Sequence, residues 1–345
     1  MGTIIKRGKS YQVQISMYKD GINKRITQTF KTKAEAKYWE REMELMKGNG
    51  TQLAELTTPF PEFYKDWIYF VKKDEVREST YQNYKQTINT IDDLFYNIQM
   101  RNLNDIVVQR KIDEYANGRS RRTVQDLLTK IKSALRYAHS RGHITRDFTG
   151  ILKAKGTETP NRNKALSIQE FRTLRNYLLQ NTDKEINIFF YTILETGLRR
   201  GEALGIRPEY LHPDKIQVSE SISPTSNDTM LKNKSSKRDI AISKQLYLLL
   251  KAIPVKSNGY IFAHTFKQSQ QLSTILKRLG ITKTTLHGLR STHASAVYTI
   301  SKNDLYIANR LGHNNTKTTH EYYLHLTPEA KKEEDQTTLE YIQDL

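Results

Sequence analysis

His287-Gly288-Leu289-Arg290, then Leu311-Gly312-His313, then Tyr322-Tyr323-Leu324-His325-Leu326 form the stretch that decides how this chain is read. Imidazole, guanidinium and phenol groups recur there within a strongly basic chain that has no cysteine. These are the groups needed to grip a phosphodiester and attack it with a side-chain oxygen. Upstream lies a second cluster, Thr196-Gly197-Leu198-Arg199-Arg200-Gly201-Glu202. The two clusters are expected to fold into one site to which the rest of the chain delivers DNA.

The chemistry follows from the residue types. Arg199 and Arg290 can each fork onto nonbridging phosphate oxygens, because a guanidinium matches a phosphate bidentately. A phosphodiester under attack gains negative charge, so cations already in place stabilise its transition state. His287 and Arg290 are three apart and share a face if they lie on a helix. His313 follows Gly312, where a turn lets its ring approach closely. A tyrosine can serve as the covalent nucleophile. Each signal alone is weak: His-x-x-Arg is often structural, and tyrosine occurs 20 times. The order Arg…His-x-x-Arg…Gly-His…Tyr carries the reading.

Composition agrees with that chemistry. At 345 residues the length prior gives two or three domains. Lys and Arg number 55 against 37 Asp and Glu, a formal charge of +18 with a pI near 9.7. The excess is spread over the chain and fits a polyanion partner, nucleic acid first. Without cysteine there is no disulfide framework, thiolate zinc site or cysteine nucleophile. The opening residues lack an apolar core of signal-peptide length, and no apolar run approaches the roughly 20 residues of a membrane span. A soluble, cytoplasmic protein without membrane contact is expected.

Other chemistries fit less well. His287, His293, His313, His320 and His325 form neither His-Glu-x-x-His nor another zinc spacing. The sequence has no P-loop, no Gly-x-Ser-x-Gly and no carboxylate cluster able to hold two metals. The expectation is a reaction without metal, cofactor or ATP, through a covalent phosphotyrosine.

In chain order, residues 1–50 read as a small basic module with 11 Lys and Arg against five Asp and Glu. Tyr11, Val13, Ile15 and Met17 alternate with polar residues, the period of a half-buried strand. Lys19-Asp20-Gly21 supplies a turn, and a second alternating run, Lys24 to Phe30, makes a hairpin. Thr32-Lys33-Ala34-Glu35 resembles a capping box opening a helix through about Met46. Such a basic sheet can enter a DNA groove, and equally can present a solvated basic face. Gly48, Gly50, Pro59 and Pro61 mark a linker.

From about residue 60 to 152 the pattern is helical. Tyr81, Tyr84, Ile88, Ile91 and Phe95 fall at helical spacing. Thr123-Val124-Gln125-Asp126 reads as a capping box, followed by a stripe of Val124, Leu127, Leu128, Ile131, Leu135 and Ala138. Arg119 to Arg122 bring charge to that helix start, where phosphate is also favoured. A polar, basic linker covers 153–164. Leu166 and Ser167 to Glu170 open a helix, and a second one, roughly 184–195, stops at Gly197. Alternation returns at Ile216 to Ser219 and Arg238 to Ile242, a short hairpin with Lys232, Lys234, Lys237 and Arg238 about it. Helices resume from about Ser243.

These residues resemble the tyrosine recombinase family, the phage and transposon integrases. Glu195–Ile206 (ETGLRRGEALGI) is similar to that family's first catalytic box, and Leu286–Ser295 with Asn309–Leu326 to its second. The three-part layout with a basic N-terminal module resembles integrases of Gram-positive phages and integrative conjugative elements. The fold implied is multidomain and mainly α with small β elements. It comprises a three-stranded sheet plus helix at 1–50 for arm-type DNA and a helical core-site domain at 51–155. A mostly helical catalytic domain with a short β-hairpin follows at 160–326, and 327–345 would contact a neighbouring protomer.

By position, the resemblance makes Arg199 the first catalytic arginine and Glu202 its acidic support. His287 and Arg290 become the His-x-x-Arg pair, and His313 the later histidine. Tyr322 and Tyr323 stand nine and ten residues beyond His313, and both spacings occur in the family. The usual ending Tyr-x-His-(Leu/Val) fits Tyr323-Leu324-His325-Leu326, so Tyr323 is taken as nucleophile and Tyr322 as the alternative. The family's hairpin lysine, which protonates the leaving 5′ oxygen, maps to Lys232, with Lys234 second. Ser291 departs from the histidine that many members carry after Leu-Arg.

The implied function is site-specific recombination, integrating and excising a mobile element through a 3′-phosphotyrosyl intermediate and a four-way junction. The implied partners are double-stranded DNA at core and arm sites, three further copies of the chain, and an excisionase or host DNA-bending protein. The protein would sit in the bacterial cytoplasm, on the nucleoid when acting. A DNA-binding regulator with a silent site and a type IB topoisomerase-like enzyme are the alternatives.

Overall fold

The computed structural model describes residues 2–19, 22–48, 57–158, 165–223, 237–264 and 267–313. By its contacts the chain divides into two units, Met1–Pro160 and Asn161–Leu345. Among the described residues the fold is mainly α with two small antiparallel sheets. Among the described residues no helix is long and apolar enough to cross a membrane.

The first unit opens with strands β1 (Thr3–Arg7), β2 (Ser10–Lys19) and β3 (Ile22–Phe30) in the order β1-β2-β3. The register sets Ile15 opposite Ile26 and Val13 opposite Ile4 on β1. That face is covered by helix α1 (Lys33–Gly48), so Val13, Ile15, Ile26, Ala36, Trp39 and Met43 form a small buried core. The expected capping box is present. Glu35 N–H donates to Thr32 Oγ1 at 3.2 Å, and Thr32 N–H to Glu35 Oε2 at 3.1 Å.

Helix α2 (Phe60–Trp67) begins at a proline-rich start and runs on through a π-helical turn, Ile68–Lys72. The stripe from Tyr81 to Phe95 is helical but divided into α3 (Glu78–Lys85) and α4 (Ile88–Phe95). Thr87 marks the break: its hydroxyl bonds Tyr84 O at 2.6 Å and the Tyr64 hydroxyl at 2.8 Å. Helices α5 (Asp105–Ala116) and α6 (Arg121–Ser140) follow. The cap of α6 corrects the sequence reading. Ser120, not Thr123, is the N-cap, its Oγ accepting from Thr123 N–H at 3.2 Å, while Asp126 pairs with Lys130 one turn on. Arg121 and Arg122 therefore lie in the first turn itself. The predicted apolar stripe of α6 is buried throughout.

In the second unit, helix α7 (Ile168–Gln180) starts with the expected Ser167–Glu170 capping box. Helix α8 (Glu185–Thr196) has a run of buried residues from Asn187 to Leu194 that covers every side, as expected of a helix surrounded by others. A short helix α9 (Arg200–Leu204) leads to the antiparallel pair β4 (Lys215–Val218) and β5 (Arg238–Ala241), with Ile216 opposite Ile240 in the core. Then come α10 (Lys244–Ala252), α11 (Gln268–Arg278), α12 (Leu286–Ser301) and α13 (Asp304–Leu311). Helix α8 packs against α7, α10 and α12, which places its C-terminal end beside α12 and α13.

Candidate active site

Helix α8 ends where Gly197 takes a left-handed φ of 71°. Two residues on, Arg199 heads α9 and Glu202 closes its first turn. Arg199 N–H donates to Glu202 Oε2 at 3.0 Å, and its Nη1 to Oε1 at 2.7 Å. Glu202 is only 3% exposed, and a carboxylate that deep must be matched by donors. Arg238 supplies two more, with Nη2 2.9 Å from Oε2 and Nη1 3.4 Å from Oε1. Arg290 Nη1 stands 3.9 Å from Oε2. Burial alone would raise the carboxyl pKa; the charge of Arg238 first, then those of Arg199 and Arg290, bring it to about 2.

The same three arginines grasp the end of α13. Arg238 Nε donates to Arg310 O at 2.7 Å, Arg290 Nη2 to Leu311 O at 2.7 Å, and Arg199 Nη2 to Gly312 O at 3.2 Å. The last carbonyls of a helix have no acceptor role inside it and carry the negative end of its dipole, so they suit guanidinium donors. Arg290 also donates through Nη1 to Gly197 O at 2.8 Å. Two helix ends and one carboxylate thus aim three cations.

Gly312 turns the chain out of α13 with φ 68°, and His313 N–H bonds back to Ala308 O at 2.9 Å. The His313 ring is half-buried, and its pKa falls to about 4 through burial first, then the charges of Arg290, Arg199, Arg238 and His287. It is a neutral imidazole beside a cluster of guanidiniums. His287 lies in the first turn of α12, after the Thr285 cap, and is exposed, whereas Arg290 one turn on is 3% exposed. The His-x-x-Arg pair therefore spans the site from rim to interior. The Ser291 hydroxyl turns back to His287 O at 3.1 Å and stays with its own helix.

Arg199, Glu202, Arg290 and His313 are thus brought together, with His287 at their edge. Lys232, Lys234, Tyr322 and Tyr323 lie outside the described residues. Two residues that the sequence reading gave no role belong here as well. Arg238 was one basic residue among several near the hairpin; its signal is that it shares a strand face with the core residue Ile240. His293 sits three residues past Arg290 and is buried against the end of α8. Among the described residues no three His, Asp or Glu side chains converge closely enough to hold a metal ion.

Comparisons with known proteins agree with this fold. The phage integrase family matches residues 164–330, the phage integrase N-terminal SAM-like domain residues 59–115, and an arm DNA-binding domain residues 3–46. An integrase of Staphylococcus phage L54a is 26% identical over 337 residues, covering 84% of this chain and 95% of its own. The ICEBs1 integrase of Bacillus subtilis (strain 168) is 25% identical over 284 residues, covering 73% and 75%. Among solved structures, the Tn1549 transposon integrase in complex with transposon right end DNA superposes with a TM-score of 0.63 at 16% identity. It covers 82% of this chain and 100% of that one. A lambda integrase dimer bound to a COC′ core site gives 0.60 at 14% identity, covering 76% and 97%. The chain belongs to the phage integrase family. It is a site-specific tyrosine recombinase, an enzyme that cuts and rejoins DNA.

Proposed function

We propose that this recombinase acts on double-stranded DNA with Tyr323 as nucleophile. Tyr323 attacks the scissile phosphate, forming a 3′-phosphotyrosyl bond and releasing a 5′-hydroxyl. Arg199, Arg290 and His313 stabilise the pentavalent centre, His287 assists proton transfer, and Lys232 protonates the leaving oxygen. Tyr322 and Lys234 are the second choices for their two roles. The bond energy is kept in the link, so a 5′-hydroxyl from a second duplex reverses the step.

The carrying observation is the cluster around Glu202. Three guanidiniums face one carboxylate, so the cluster is net positive, and each arginine is already aimed by fixed acceptors. Preorganised donors stabilise developing charge without reorganising during the reaction. The SAM-like and arm-type matches support assigning 51–155 to core-site DNA and 1–50 to arm-site DNA. On this reading 160–326 carries the chemistry. Four protomers work on two sites through a four-way junction, and the acidic segment 327–345 docks on a neighbour. An excisionase or host DNA-bending protein sets direction, and the element served is a phage or an integrative conjugative element.

A suicide duplex nicked beside the cleavage site tests the assignment. Wild type should trap a covalent protein–DNA adduct in the presence of a chelator, Tyr322→Phe should do the same, and Tyr323→Phe should not. An adduct with Tyr323→Phe but not Tyr322→Phe moves the nucleophile to Tyr322. Failure of wild type on its own attachment site overturns the mechanism.

A further inference from the structure

His293 is buried on α12, and the chemistry proposed above does not use it. Its Nδ1 lies 3.0 Å from Leu194 O, which can only accept, and its Nε2 is 3.0 Å from Arg310 Nε, which can only donate. The ring is therefore neutral, with its proton on Nδ1. Burial and the charge of Arg310 push its pKa down to about 3, so it stays an acceptor at any pH at which the enzyme works. Arg310 places its Nη2 3.2 Å from both Glu195 O and Ala241 O. One side-chain pair thus ties together α8, α12, α13 and the end of β5.

That knot sits directly behind the active-site arginines. The carbonyl of Arg310 receives Arg238, and the next two carbonyls, Leu311 and Gly312, receive Arg290 and Arg199. Whatever holds Arg310 also holds the acceptors that aim the three guanidiniums and the turn from which His313 leaves. Gly197 leaves room for the knot, because a Cβ there would stand 2.6 Å from His293 Cδ2 and 2.8 Å from Leu311 Cδ2.

We propose that His293 and Arg310 are positioning residues of the recombinase site, locking the last turn of α13 so that Arg199, Arg290 and His313 stand in register for the phosphate. The proposal rests on the phosphotyrosyl reading above. An apolar ring at 293 fills the space but removes the acceptor, leaving the Arg310 guanidinium to seek another partner and the turn to shift with it. A shift of about an ångström far from the reacting atoms can cost on the order of a hundredfold in rate.

The test is single-turnover cleavage of the nicked duplex at saturating enzyme, run well below each variant's melting transition, with DNA affinity measured alongside. H293F should bind DNA with wild-type affinity and cleave roughly 10- to 100-fold more slowly. H293Q, whose amide oxygen can accept from Arg310, should recover most of the rate. R310M should show the same loss as H293F, and the double variant should be no slower than the slower single, as expected for one unit. If H293F does not fold, R310M and H293Q carry the comparison alone. Wild-type cleavage by R310M or by folded H293F overturns the proposal, as does an H293Q rate no better than that of R310M. Absence of any wild-type adduct instead overturns the mechanism on which it rests.

Discussion

Arg238 lays its guanidinium across the Glu202 carboxylate, Nη2 to Oε2 at 2.9 Å and Nη1 to Oε1 at 3.4 Å, joining strand β5 to helix α9. Both side chains are nearly sealed from solvent, 8% and 2% exposed. A buried pair of this kind adds little net stability, because desolvation offsets the attraction. Its effect is geometric. It fixes the strand that ends the hairpin against the turn that bears Arg199, and its Nε holds the end of α13.

Breaking the pair from the Arg238 side should therefore be costly. Arg238→Met leaves Glu202 buried with Arg199 and Arg290 only, and stability should fall by about 3 kcal/mol. Arg238→Lys should recover part of the stability but little of the cleavage, since one ammonium cannot span two carboxylate oxygens and a carbonyl. Urea unfolding beside single-turnover cleavage reads both. A stability loss below ~1 kcal/mol for the methionine variant would mean that the pair is not load-sharing in solution.

Gly197 offers a second test with its own control. Alanine there must adopt φ 71° and push its Cβ within 2.6 Å of His293, a ring with no room to move. Gly280 has a similar φ of 65° but open space where a Cβ would go. Gly280→Ala should cost about 1 kcal/mol for the backbone alone, and Gly197→Ala about 2–4 kcal/mol once overpacking is added. Thermal melts of the two variants make the comparison. Equal losses would show that the contact with His293 relaxes freely.

Much of this architecture was legible in the sequence, for reasons that differ by element. Caps and periodicity are local, so the Ser167–Glu170 box, the buried α8 and the stop at Gly197 could be read directly. The cap of α6 was misplaced because two hydroxyl residues three apart each fit the rule, and only the Ser120 backbone is extended as an N-cap requires. Arg199, Glu202, Arg290 and His313 stood out through their order along the chain. Arg238 did not, because its partner lies 36 residues away and a basic hairpin offers several equal candidates. His293 was equally silent, its role resting on a contact with Leu194 O across 99 residues.

Acid should destabilise the second unit, and three groups at the arginine cluster, His313, His293 and Glu202, act in that one direction. His313 and His293 have pKa values near 4 and 3 in the fold against an ordinary 6.5, so below 6.5 the unfolded chain binds protons that the folded one refuses. Stability is then complete above 6.5 and lost as pH falls toward 4 and 3. Glu202, held at about 2 against an ordinary 4.5, adds stability that is present above 4.5 and lost as pH falls toward 2. Urea unfolding between pH 7.5 and 5 isolates the histidines. His313→Gln should flatten part of that slope, and an unchanged slope would place the ring in water.

DNA should weaken the positive field at His313. In the free protein its ring stays neutral through burial and the charges of Arg290, Arg199 and Arg238. A phosphodiester seated among those guanidiniums offsets their charge and raises the ring pKa from about 4 back toward 6.5. Between those values the complex holds a proton that the free enzyme lacks, so binding must take one up. Calorimetry at about pH 5.5 in buffers of different ionisation enthalpy should show uptake that fades by about pH 8. His313→Gln should bind the same duplex with that uptake reduced. Tight wild-type binding with no proton uptake at the lower pH would mean that no phosphate comes to rest beside His313.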